Sequence, residues 1–147
     1  MVNKPTTFDL TSLIPKMQKY FSAQKDIVAA YLFGSYAKNR QTKRSDIDVG
    51  VIFSKRPKSY SRQFEIASDL EKILNGPPVD IRELSLDSSP VFLMSVLKNA
   101  KLIAENNRFQ RINFEVKTMQ EFSDDQKYRQ IQYYYLKKRL KEKIYAN

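Results

Sequence analysis

Ile27-Val-Ala-Ala-Tyr-Leu-Phe33 is a run of seven apolar residues stopped at once by Gly34. It is far too short to span a bilayer, where a helix needs about 20 apolar residues. It is continuous rather than alternating, which fits a strand buried on both faces. Such a strand demands a covering layer on either side. The rest of the chain must therefore supply helices and partner strands.

The flanking patterns do so. Leu13, Met17 and Phe21 recur at helical spacing and predict an amphipathic helix over about 12–24. Ile47-Asp-Val-Gly-Val-Ile-Phe53 reads as a second strand, followed by a loop at Ser54-Lys-Arg-Pro-Lys58. Phe64, Ala67, Leu70, Ile73 and Leu74 mark a helix over 59–74, closed by Asn75-Gly76-Pro77-Pro78 with Gly76 as its C-cap. Val79-Asp-Ile-Arg-Glu-Leu84 alternates as a third strand. Ser88 or Ser89 caps a helix over 90–98, with Pro90 in its first turn, and a short strand follows near 101–104. Phe109, Ile112, Val116 and Met119 form another helical stripe, and Ser123-Asp-Asp can cap a final helix over about 124–144. The expected architecture is α+β with α/β-like alternation, a small mixed sheet flanked by helices. At 147 residues the chain is expected to be one domain, with a core over about 10–122 and C-terminal helices.

Composition narrows the chemistry. The chain has no cysteine and no histidine. Disulfides, thiolate metal sites, cysteine nucleophiles and histidine relays are excluded. Catalysis must run on carboxylates, hydroxyls, Lys, Arg or hard metal ions. The start, Met-Val-Asn-Lys-Pro-Thr-Thr, lacks the apolar stretch of a secretory leader, so a cytoplasmic location is expected. The net charge of +10 calls for an anionic partner: a nucleotide, a nucleic acid or an acidic protein surface.

The chemistry lies in Gly34-Ser35 and in Asp46-Ile-Asp48. Asp46 and Asp48 are two apart at the mouth of a strand, so both carboxylates share one face while Ile47 and Val49 turn to the other. Two such carboxylates repel unless a cation lies between them, and oxygen-only ligands favour Mg²⁺ or Mn²⁺, which bridge to phosphate oxygens. Gly34 lets the backbone approach a phosphate, and the N–H groups after it and the Ser35 hydroxyl can hold a triphosphate. Lys38, Arg40, Lys43 and Arg44 keep the connecting segment positive. Asp80 can join the pair if its strand lies beside residues 47–53. Three carboxylates suffice for a two-metal site in which positioning and charge neutralisation do the catalysis. Each piece alone is common in turns and caps; the ordered combination on strand ends is specific.

Tyr31-Leu-Phe-Gly-Ser-Tyr-Ala-Lys38 with Ser45-Asp-Ile-Asp-Val49 resembles the minimal nucleotidyltransferases of the DNA polymerase β superfamily. That family has Gly-Ser, a spacer, Asp-x-Asp and a third Asp on a later strand, which Val79-Asp80-Ile81 matches. Leu97-Lys-Asn-Ala-Lys-Leu-Ile103 is similar to the family's strand after its third helix. Asn39 and Ala100 stand where the family usually has Gly. The resemblance covers most of residues 10–122 and is nearest to the MntA antitoxins, which accompany HEPN-domain RNase toxins. It implies Asp46, Asp48 and Asp80 as catalytic and metal-holding residues, Gly34 and Ser35 as nucleotide-binding, and ATP as substrate. It also implies transfer of AMP to a tyrosine of a HEPN toxin. A transferase for a small hydroxylated acceptor such as an antibiotic, and a binding antitoxin without chemistry, are the alternatives.

The tail carries its own signal. From Lys127 onward there are seven basic residues against the single acid Glu142. Ile131-Gln-Tyr-Tyr-Tyr-Leu-Lys-Lys-Arg-Leu-Lys141 is similar to the basic C-terminal helix of the antitoxin subgroup. Aromatics among Lys and Arg suit docking to an acidic protein partner; RNA is the other anionic candidate. No membrane association is expected.

Overall fold

The computed structural model describes residues 9–42 and 45–145, with side chains through Lys141. Met1–Phe8, Lys43, Arg44, Ala146 and Asn147, and the side chains of Glu142, Lys143, Ile144 and Tyr145, lie outside what it describes. The chain runs α1 (Leu10–Ser22), β1 (Ile27–Phe33), α2 (Gly34–Ala37), β2 (Ile47–Phe53), α3 (Ser61–Leu74), β3 (Val79–Glu83), α4 (Pro90–Asn99), β4 (Lys101–Glu105) and α5 (Arg108–Tyr145).

The four strands form one mixed sheet in the order β3-β2-β1-β4. β1 runs antiparallel to β2 and β4, while β2 and β3 are parallel and joined through α3, as a parallel pair requires. Both faces are covered. On one, Ile27, Ala30 and Leu32 of β1, Ile47, Val49 and Val51 of β2, and Val79 and Ile81 of β3 meet Leu13, Met17 and Phe21 of α1 and Ile66, Leu70 and Leu74 of α3. On the other, Val28, Ala29 and Tyr31 of β1, with Ile52, meet Leu93 and Val96 of α4 and Phe114 of α5. A register shift between Ile27 and Ala29 lets Val28 and Ala29 both serve the second face. The continuous apolar run is therefore a strand sandwiched between two helical layers. None of the described helices is long and apolar enough to cross a membrane.

Local chemistry sets the element ends. Asp9 caps α1 by accepting the Thr11 N–H at 3.1 Å. Pro90 opens α4, but Ser89 at its N-cap makes no side-chain capping bond. α3 closes on Asn75 rather than on Gly76: Asn75 takes the left-handed conformation, φ 46 and ψ 47, which a short polar side chain tolerates. Asn39 is likewise left-handed at φ 54, which explains how it serves where a glycine is usual. Ala100 is extended, φ −75 and ψ 152, so no glycine is needed there.

The expected division of the C-terminal region also fails. The two C-terminal helices are a single helix of 38 residues, and Ser123-Asp-Asp lies within it. No Gly or Pro interrupts Arg108–Tyr145, so nothing forces the hydrogen-bond ladder to stop, and extending a helix is far easier than nucleating a second one. Its start is set by Asn107, whose Oδ1 accepts the Gln110 N–H at 3.0 Å.

Candidate active site

β1 ends at Phe33, which lies opposite Asp48 in the antiparallel register, and Asp48 lies beside Asp80 in the parallel one. Three strands thus bring Gly34, Asp48 and Asp80 to one end of the sheet. The face is set by alternation. Ile47, Val49, Val79 and Ile81 fill the α1–α3 core. Asp48 and Asp80 must then point to the opposite face, and Asp46, just before β2, follows the same alternation. The structure brings Gly34, Asp46, Asp48 and Asp80 to one end of the sheet.

The three carboxylates also act on one another electrostatically. Partial burial of Asp48, then the Asp80 and Asp46 carboxylates, push its carboxyl above the ordinary carboxylate range, with Arg82 opposing. Burial and the Asp46 charge raise the Tyr36 hydroxyl in the same way. Asp46 itself is exposed, and Asp48 and Asp80 are half-buried.

Gly34 is required twice over. Its φ of +72 lies in the left-handed region that disfavours a side chain. An added Cβ would also overlap Asp48 Oδ2 and lie 3.1 Å from its Cγ. The turn therefore presses bare backbone against a carboxylate. Ser35 follows in the one-turn α2, whose Ser35 carbonyl accepts the Arg40 N–H at 2.8 Å. Lys38 and Arg40 stand exposed after it.

Among the described residues, no three acids are gathered tightly enough to hold a metal ion as they stand. Asp80 turns its Oδ2 to Arg82 Nε at 3.2 Å. The donor set nevertheless fits a hard divalent cation: its side chains are all oxygen donors, and Asp48 carries the cost of crowded negative charge that a cation would remove. Arg82 is the neighbour of the acids that motif reading missed. The alternation Asp80-Ile81-Arg82 held the signal, because it sets Arg82 on the face of the acids. Sequence also gave no hint of a cleft of about 460 Å³ beside Asp80, walled by Arg56, Tyr60, Phe64, Arg82 and Phe92.

Comparison with known proteins agrees with this fold. The family model described as polymerase beta, nucleotidyltransferase, matches residues 15–109. A relative from Methanocaldococcus jannaschii, named as a candidate protein adenylyltransferase, is 34% identical over 76 residues, 52% of this chain and 76% of its own. A chain of a solved toxin–antitoxin structure with AMP-PNP is 27% identical with a TM-score of 0.66, over 80% of this chain and 92% of that one. A chain from a tri-AMPylated Shewanella oneidensis HEPN toxin in complex with its MNT antitoxin shares the fold, with a TM-score of 0.61 at 24% identity, over 82% of this chain and 92% of its own.

Proposed function

The chain belongs to the polymerase beta nucleotidyltransferase family, and from that premise we propose that it transfers AMP from ATP to a tyrosine hydroxyl of a partner HEPN RNase toxin and so acts as its antitoxin. The observation that carries this reading is the convergence of Asp46, Asp48 and Asp80 on the face where Gly34 bares its backbone. The adenylyltransferase relative supports the choice of reaction. The similar chain solved with AMP-PNP in a toxin–antitoxin structure supports the choice of nucleotide and of partner class.

Gly34 and Ser35 would hold the triphosphate through backbone N–H groups and the Ser35 hydroxyl, where no Cβ intervenes. Asp46, Asp48 and Asp80 would hold Mg²⁺ or Mn²⁺, which supplies positive charge for the phosphate oxygens. Asp80, at the outer end of the acidic row, receives the proton of the acceptor hydroxyl. The hydroxyl oxygen bonds to the α-phosphorus, the bond from that phosphorus to its bridging oxygen breaks, and pyrophosphate leaves. Positioning and charge account for the rate, so a chain without histidine is no obstacle. The toxin would dock on α5 beyond Asp125, where every described side chain through Lys141 is exposed and the charges are all basic.

The test uses the full chain with α-labelled ATP, Mg²⁺ and a HEPN RNase toxin. Label should appear on a toxin tyrosine and vanish with Asp46→Asn or Asp48→Asn. Undiminished labelling by either variant would overturn the assignment, as would a toxin left unlabelled while the protein binds AMP-PNP.

A further inference from the structure

β3 is an edge strand, paired with β2 on one side only. Two bonds fix its phase: Ile47 N–H donates to the Pro78 carbonyl at 2.9 Å, and Leu84 N–H donates to the Val51 carbonyl at 2.8 Å. Between them, the parallel ladder engages the backbones of Asp80 and Arg82 and turns those of Val79, Ile81 and Glu83 outward. Val79 N–H is taken by Glu71 Oε1 at 2.9 Å. Ile81 and Glu83 face the open side.

All five residues of β3 line the cleft beside Asp80. Neighbours in a strand point to opposite faces, so consecutive residues can share one cleft only if it follows the strand's edge. Along that edge the strand spans about 16 Å at roughly 3.3 Å per residue. The walls are aromatic: Tyr60 and Phe64, each 74% exposed, come from the α3 side, and Phe92 from α4. Charged residues on the edge, Arg82 and Glu83 among them, discourage indiscriminate sheet pairing while leaving the backbone open.

We propose that this edge is the acceptor dock: an extended segment of the protein substrate adds to β3 as a further strand, bringing its tyrosine to the acids. The proposal rests on the adenylyl-transfer reading above. A residue opposite Asp80 on an added strand lies one strand spacing outward, about 4.8 Å, and points to the same face as the acids. The cleft is continuous with Asp80, so the hydroxyl arrives at the group that takes its proton. Main-chain bonds supply affinity whatever the sequence, and the aromatic walls select alternate side chains. The net charge of +10 disfavours a second copy of this chain on the edge, while the cleft's own charges balance, Arg56 and Arg82 against Asp80 and Glu83.

The test uses the full-length protein with AMP-PNP, Mg²⁺ and a library of tyrosine peptides with varied flanks. The best peptide should slow amide exchange at Ile81 and Glu83 at least tenfold and leave Asp80 and Arg82 nearly unchanged. Tyr60→Ser and Phe64→Ser, both at exposed positions, should raise KM for the peptide about tenfold with kcat and AMP-PNP affinity within twofold. Unaltered exchange at Ile81 and Glu83 overturns the proposal. A loss of AMP-PNP affinity in the two variants overturns it too, since the cleft would then seat the nucleobase, as does a change in oligomeric state, which would assign the edge to a second copy. Failure of the wild-type protein to bind AMP-PNP would instead sink the adenylyl-transfer reading itself.

Discussion

Gly34 joins two demands that usually fall on different residues: a left-handed backbone and an absent side chain against a carboxylate. Gly34→Ala imposes both penalties. The conformation alone costs about 1–2 kcal/mol, and the methyl group must displace Asp48. We expect lower stability in urea and a loss of AMP-PNP affinity by calorimetry; a variant that binds as tightly as wild type would refute the cradle. Asp48 makes the opposite prediction. Its carboxyl is held above the usual range, so ionising it costs more in the folded than in the unfolded protein. That penalty is full above the folded pKa and vanishes below the unfolded one. Asp48→Asn should therefore raise the melting temperature at pH 7, and the gain should fade as pH falls below the ordinary carboxylate range. A gain that persists in acid would show that packing, not charge, is relieved. These acids were legible in the sequence because strand alternation is a local rule of period two. The pairing of Asp80 with Arg82 was less so, since a search for acids passes over the cation between them. The choice of Asn75 over Gly76 as the left-handed cap was ambiguous because both residues tolerate that backbone.

β1 and β2 were legible to the residue, Ile27–Phe33 and Ile47–Phe53, because buried runs end sharply at Gly34 and Ser54. The last helix was not. Ser123-Asp-Asp has the chemistry of a cap, but a cap works only where the chain enters the helix from another direction, and that direction is set by tertiary packing. α5 is held along its first half. Phe114 and Thr118 are buried, and Arg111 bridges Glu105 at 2.6 Å and Glu115 at 2.8 Å. The Tyr31 hydroxyl donates to Glu115 at 2.6 Å, tying the helix to β1. From Gln126 to Lys141 every side chain is exposed, including Tyr128, Ile131 and Tyr133–Leu136. Truncation after Asp125 should leave the melting temperature and AMP-PNP affinity nearly unchanged, because no described side chain that is removed is buried. Toxin modification should fall at least tenfold, with the difference widening at low salt, where the lost basic charges steer encounter most strongly. A truncated chain that modifies the toxin at the full rate in low salt would show that the partner docks elsewhere.

Across the whole molecule, the sheet is covered on both faces, and side chains distant in sequence tie its elements together. Arg62 joins α3 to the turn before β1, donating to both oxygens of Asp26 at 2.8 and 2.9 Å and pulling that carboxyl below its ordinary value. A lowered carboxyl stabilises above its unfolded pKa, and the contribution is lost as pH falls through the folded one. Arg62→Met should destabilise by about 1–2 kcal/mol at pH 7, a range reduced for an exposed pair, with the deficit shrinking in acid; a constant deficit across pH would assign the loss to packing. Asn106, just past β4, reaches further. Its side-chain amide donates to the carbonyls of Phe21, Gln24 and Ile27 at 2.9, 3.1 and 3.0 Å. With two hydrogens for three acceptors, one must be shared. Those bonds close loops of 85, 82 and 79 residues, so they form only once β4 has reached its place. Asn106 is thus a late latch, one that holds the finished protein shut without helping it assemble. In stopped-flow kinetics Asn106→Ala should speed unfolding about tenfold and leave refolding nearly unchanged, the signature of an interaction absent from the transition state.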